Sequence, residues 1–184
     1  MQGAAGAILA ACVLGSCTSS TVNGDECEPI LGEDVYIHAC QHGDMGPFEA
    51  VQASPHPDGW LAATNTTQHV FDVHMNAGEA EGPSRWYVGF RPSRDGAHAV
   101  FIGATDEDID LEVFVADERL ERDHQEVVSN PSGCGEMSRV DVFTFERGTQ
   151  YTLAFGPTDA PSVRVFFEHP DTFGRGGWES RCDD

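Results

Sequence analysis

The run Tyr36-Ile37-His38-Ala39-Cys40-Gln41-His42 carries two imidazoles flanking a thiol at every second position. In an extended backbone successive side chains leave on opposite faces, so His38, Cys40 and His42 would project together. Imidazole nitrogen and thiolate sulfur are donors that copper and zinc accept, and the spacing reads as a metal-binding strand. Further along, Gln68-His69-Val70-Phe71-Asp72-Val73-His74 offers His69 at the start of another strand, and Glu168-His169 closes a late one. The expected shell is His38, His42 and His69, with Cys40 or His169 as the fourth ligand and Glu168 as a substitute for His169. Copper is preferred over zinc because of the thiol. Against this stands the plainer reading that strand histidines bond neighbouring carbonyls or carboxylates and hold no ion.

A second cluster is acidic. Asp106-Glu107-Asp108-Ile109-Asp110 sets carboxylates at alternate positions, so Asp106, Asp108 and Asp110 form a candidate calcium turn. Leu111 stands where an EF-hand requires glycine, which rules that motif out, and a solvated acidic turn is the plainer reading. The chain has no Gly-x-Ser-x-Gly elbow, no His-Glu-x-x-His, no P-loop and no dinucleotide glycine run, so no catalytic residue is assigned. A metal-dependent enzyme would need a base beside the metal-bound water, for which Glu168 or Asp72 would serve.

The elements that must position these residues read as short β segments punctuated by Gly, Pro, Asp and Asn. Expected strands cover 35–40, 48–53, 69–75, 86–90, 97–103, 109–115, 140–145, 150–155 and 162–168. Residues 116–125 lack proline and glycine and read as a loop or a short charged helix. The tail from Pro170 reads as a surface wrap. This pattern predicts an all-β fold, an antiparallel β-sandwich or jelly-roll-like domain of about eight to nine short strands. With 184 residues the chain suffices for one such domain. Acidic residues outnumber basic ones by 31 to 10, for a net charge of −21. Such a surface repels phosphate backbones, which excludes nucleic acid as a partner, and it attracts cations.

Residues 1–20 carry no charge, and an apolar stretch ends in Leu14-Gly15-Ser16-Cys17. This resembles the lipobox of bacterial lipoproteins, although the usual basic residues before the apolar stretch are missing. The resemblance implies a signal peptide over 1–16, a lipidated Cys17 with a tether over 17–26, and one domain over 27–184. It also implies a membrane partner through the lipid and a bacterial envelope location, periplasmic or outer-surface. Of six cysteines, Cys12 would leave with the signal and Cys17 would carry lipid. The remaining Cys27, Cys40, Cys134 and Cys182 would form two disulfides in an oxidising compartment, Cys27 with Cys182 and Cys40 with Cys134 being one of three connectivities. A disulfide at Cys40 competes with its use as a ligand.

Three stretches carry a family resemblance: His69-Val70-Phe71-Asp72-Val73, then Thr105 through Val113 with its Asp-x-Asp-Leu core, then Glu146-Arg147-Gly148-Thr149-Gln150-Tyr151-Thr152-Leu153. Together, over roughly residues 66–168, they are similar to bacterial pre-peptidase C-terminal domains, β-sandwiches appended to secreted enzymes. That resemblance implies a sandwich and no activity. Two functions follow as expectations. The first is an exported, lipid-anchored copper- or zinc-binding protein. The second is a non-catalytic surface module for an unknown protein or a glycan, stabilised by calcium, with Trp60, Trp86 and Trp178 available to stack on sugars if exposed, although Trp86 sits within a strand and reads as core.

Overall fold

Apolar residues at alternate positions, Val163, Val165 and Phe167, face one core, while Phe166 between them faces another. The computed structural model, which describes residues 28–57, 63–64, 69–75, 84–103, 109–128 and 137–181, shows why. In chain order the elements are β1 (Glu28–Leu31), α1 (Glu33–Met45), β2 (Phe48–Gln52), β3 (Ala63–Thr64), β4 (Val70–His74), β5 (Ser84–Phe90) and β6 (Gly96–Gly103). There follow β7 (Leu111–Val115), β8 (Glu118–Leu120), β9 (His124–Val127), β10 (Met137–Phe145), β11 (Tyr151–Thr158), β12 (Ser162–Glu168), a 3-10 helix (Pro170–Gly176) and β13 (Trp178–Arg181).

A six-stranded sheet, β2-β4-β12-β6-β10-β9, packs on a five-stranded one, β3-β5-β11-β7-β8, and β1 pairs with β13 in a separate ribbon. Neighbours run antiparallel except β2–β4 and β3–β5. The all-β sandwich expected from the sequence is therefore present, with more strands than the eight to nine anticipated. Between the sheets lies a core that includes Phe71, Trp86, Phe90, Ile102, Leu111, Phe143, Phe155 and Phe167. Trp86 is thus a core residue and not a sugar platform.

The six-stranded sheet is buried on its outer face as well. There α1, the 3-10 helix and the β1–β13 ribbon cover Val70, Ala99, Phe101, Val140, Val142 and Phe166. Burial on both faces explains why β6 and β12 read as nearly continuous apolar runs. Residues 116–125, expected as a loop or helix, form a tight turn at Ala116 and Asp117 (φ 45° and 70°), β8 and the start of β9. Primed two-residue turns of this hand match strand twist.

The strand expected over 35–40 is not formed: these residues lie in α1. Gly32 caps the helix in extended backbone, Glu33 and Asp34 complement the positive end of its dipole, and Gly46 ends it at φ 74°. The Gly46 N–H closes the last turn on the His42 carbonyl at 2.8 Å, and Pro47 follows. Val35, Ala39 and Gly43 form the buried stripe, one residue per turn. Val35, Ile37 and Ala39 also alternate as a strand would, but Ile37 is exposed, which settles the period as helical. Gly32 is required by close approach, since a Cβ there would strike the Gly176 carbonyl of the 3-10 helix.

Candidate metal site

A helix carries residues four apart on one face, so His38 and His42 lie together on α1 beside Ala39. Their face meets the outer side of the six-stranded sheet at the end of β12. Glu168 shares its outward alternation with Phe166 and reaches the same spot. One ligand atom from each of His38, His42 and Glu168 lies within 4.8 Å of the others. The two rings meet edge to face with centroids 4.5 Å apart. His42 stacks on Phe166 at 5.2 Å, and Phe173 of the 3-10 helix closes on His38 at 5.3 Å.

Hydrogen bonds fix the imidazoles. His42 Nδ1 donates to the Gly46 carbonyl at 3.0 Å, which leaves Nε2 with a free lone pair. A carbonyl in this position fixes the tautomer and the orientation of the His42 ring. His38 Nδ1 pairs with Glu168 Oε1. Glu168 is only 2 % exposed. Burial pushes its carboxyl above the usual range, opposed by the His38 hydrogen bond and by one from the His169 backbone. A buried carboxylate held mainly by one half-buried imidazole is costly unless a cation shares the site.

The expected shell is corrected at three positions. Cys40 is disulfide-bonded, so it has no thiolate to give, and on α1 it sits apart from the His38/His42 flank. His69 precedes β4 and lies 3.5 Å from Glu49 of the parallel neighbour β2, half exposed and outside the cluster. His169 follows Glu168 on the strand and so turns to the opposite face, where its ring meets His98. Glu168, considered as a substitute for His169, is the carboxylate beside the helical pair. Of the calcium turn, Asp106 and Asp108 lie outside the described residues, and Asp110 is held by Arg122 at 3.1 Å. Cys17, Cys27, Cys134, Cys182 and Trp60 also lie outside the described residues. Trp178 packs in the outer core and donates to Asp171 at 3.0 Å.

The signal that would have found this arrangement is helical. Gly32, two acids, the Val35/Ala39/Gly43 stripe and Gly46-Pro47 delimit a helix, which makes His38 and His42 an i, i+4 pair. Helical zinc hydrolases pair such histidines with a glutamate directly after the first. Here that position is Ala39, fully buried against the sheet. The two histidines are thus brought together without that base. Among the described residues no helix is long and apolar enough to cross a membrane.

No family model matches this chain, and no curated protein matches it. Among solved structures, a novel beta-glucosidase from Paenibacillus barengoltzii matches at 14% identity and a TM-score of 0.28. The match covers 64% of this chain and 13% of the glucosidase chain, too slight a likeness to carry a fold or an activity across.

Proposed function

We propose that this protein binds a divalent transition metal, zinc ahead of copper, through His38, His42 and Glu168. The observation that carries the reading is the convergence of two imidazoles and a buried carboxylate, from a helix and a distant strand, within 4.8 Å. Two nitrogens and one oxygen leave a fourth tetrahedral position for water or a further donor. Replacing the thiol by a carboxylate removes the argument for copper and favours zinc. The ligand atoms bind the ion in their deprotonated forms, so affinity falls as pH falls. The net charge of −21 raises the local cation concentration without choosing among cations. Export and lipid attachment at Cys17 belong to this reading through the lipobox resemblance. Mass spectrometry of the N-terminal peptide from a bacterial host tests them.

The test is zinc titration of the untagged, chelator-treated protein in two buffers of different ionisation enthalpy. One zinc per chain is expected, and His38→Ala and His42→Ala each abolish it. Absence of binding, or binding unchanged in both variants, sinks the proposal.

A second reading, a ligand-binding module, is favoured by a groove of about 210 Å³ on the five-stranded sheet, lined by Pro57, Tyr87, Phe114, Asp117 and Thr152. Aromatic rings beside a carboxylate and a hydroxyl suit a neutral sugar. Binding to a neutral glycan panel that disappears in Tyr87→Ala would support it, and a blank panel would remove it.

A further inference from the structure

On the inner face of the same sheet lies a second pair of imidazoles. His98 of β6 is 0 % exposed and His169, just past β12, is 6 % exposed. Their rings meet edge to face with centroids 4.8 Å apart, and Phe145 (5.3 Å) and Phe90 (6.1 Å) lie against the His98 ring. His98 Nδ1 donates to the Gly96 carbonyl at 3.0 Å, and His169 Nε2 donates to the Asp95 carbonyl at 2.9 Å. A carbonyl only accepts, so His98 Nδ1 and His169 Nε2 carry the donated protons, and in a neutral ring the opposite nitrogen holds a lone pair. What remains is His98 Nε2 and His169 Nδ1, two lone-pair nitrogens, each buried and without a hydrogen-bond partner among the described residues. Buried acceptors are nearly always satisfied, and two orphans on adjoining rings ask for an electron-pair acceptor. Burial also lowers the His98 pKa to about 4, so the ring keeps its lone pair at neutral pH.

We propose that His98 Nε2 and His169 Nδ1 hold one soft monovalent ion, Cu(I) in the cell, in a site separate from the His38/His42/Glu168 cluster. The charge argues for a monovalent ion. Two neutral nitrogens between phenyl rings supply no negative charge, and the desolvation cost of an ion rises with the square of its charge. The nearby Asp171 carboxylate is engaged by Trp178 at 3.0 Å. Zinc asks for four donors, whereas a soft monovalent ion is content with two or three. The backbone bonds at Gly96 and Asp95 are the outer shell that orients both rings. Nothing in this proposal depends on the zinc site, because the two sets of ligands occupy opposite faces of the sheet.

The experiment uses Ag(I) as the probe, because it matches Cu(I) in charge and needs no reductant that would break the Cys40 disulfide. Silver nitrate is titrated into the whole chain in chloride-free buffer, followed by calorimetry and by long-range proton–nitrogen NMR of the imidazoles. The background is His42→Ala, which disables the zinc site and breaks the His38/His42 pair, so the two proposals fail separately. One Ag(I) per chain is expected, shifting one nitrogen each of His98 and His169. His98→Phe and His169→Gln should each weaken binding by about 100-fold or more, beyond the loss outer-shell changes cause. If His98→Phe does not fold, the less buried His169→Gln decides alone, with circular dichroism to show that it is folded. No silver binding, or silver binding that leaves these two nitrogens unshifted or survives loss of either ring, overturns the proposal.

Discussion

Glu168→Gln is the substitution that separates a metal ligand from a structural carboxylate, because the two roles predict opposite signs. Glu168 is buried at the end of β12, paired with His38, and its carboxyl is held above the ordinary range by burial. The folded chain therefore keeps a proton there at pH values where the unfolded chain has released it. Stability of the metal-free protein falls as pH climbs from the ordinary carboxylate value through the raised folded one, and is fully present below it. Glutamine keeps the shape and still bonds His38, but it does not titrate and carries no charge to desolvate. Metal-free Glu168→Gln should be at least as stable as the parent at pH 8, with the difference vanishing toward pH 4.

Zinc reverses the order. At a zinc concentration one hundred times Kd, linkage adds about 2.7 kcal/mol to the parent protein, which for a domain of this size raises Tm by roughly 5–10 °C. The variant should gain nothing. The assay is thermal unfolding by circular dichroism at pH 8, with chelator or with zinc, on both proteins. A variant that keeps the zinc shift, or a parent that never shows one, refutes the ligand assignment. A metal-free variant markedly less stable than the parent at pH 8 refutes the claim that burial penalises the charge.

Asp141 is fully buried between Arg139 (3.2 Å) and Arg122 (3.4 Å), so Asp141→Ala removes their buried counter-ion, leaves them only the half-exposed Asp110, and should cost about 3 kcal/mol, read from the urea midpoint. Gly46→Ala meets φ 74° and a Phe48 ring atom 2.7 Å from the new Cβ. A loss of at least about 1–2 kcal/mol is expected, with weaker zinc binding because the Gly46 carbonyl orients His42. An unchanged zinc affinity would detach that carbonyl from the site. The β1–β13 register pairs Glu28 with Arg181, so peptide mapping without reduction should recover Cys27 joined to Cys182. A peptide joining Cys27 to Cys40 or Cys134 would contradict it.

The sandwich was legible because inward residues alternate: Val163, Val165 and Phe167 point to one side, and Gly148 punctuates the connection from β10 to β11. Its outer layer was not. Phe166, Phe101 and Val142 between the inward residues look like ordinary strand apolars, and nothing local says that a helix covers them. The same ambiguity hid α1, since Val35, Ile37 and Ala39 satisfy a period of two and Val35, Ala39 and Gly43 a period of four. Only the caps decide, and they are glycines whose role depends on contacts with Phe48 and Gly176 far from the helix face. His38 and His42 share a face under either reading, so the pair survived the wrong period. Cys40 did not, because two residues along a helix is a turn of about 200° and along a strand is none.

Glu168 and His169 show what burial on both faces of a sheet makes available. Consecutive strand residues point oppositely, so in a sheet with one wet face one of them would be solvated and chemically idle. Here α1 and the 3-10 helix close the outer face, and the second sheet closes the inner one. The end of β12 therefore sends a carboxylate into one cluster and an imidazole into another. Each pocket takes its remaining donors from a different neighbour, His38 and His42 from the covering helix and His98 from β6. Under the two proposals charge would sort the ions: the pocket with a carboxylate suits a dication, and the one with imidazoles alone suits a monocation. A register slip of one residue in β12 would exchange the two donors and disable both pockets at once. For that reason the cis-acting constraint on this strand is its pairing with β6, Glu168 opposite Ala99, more than the identity of any single apolar residue along it.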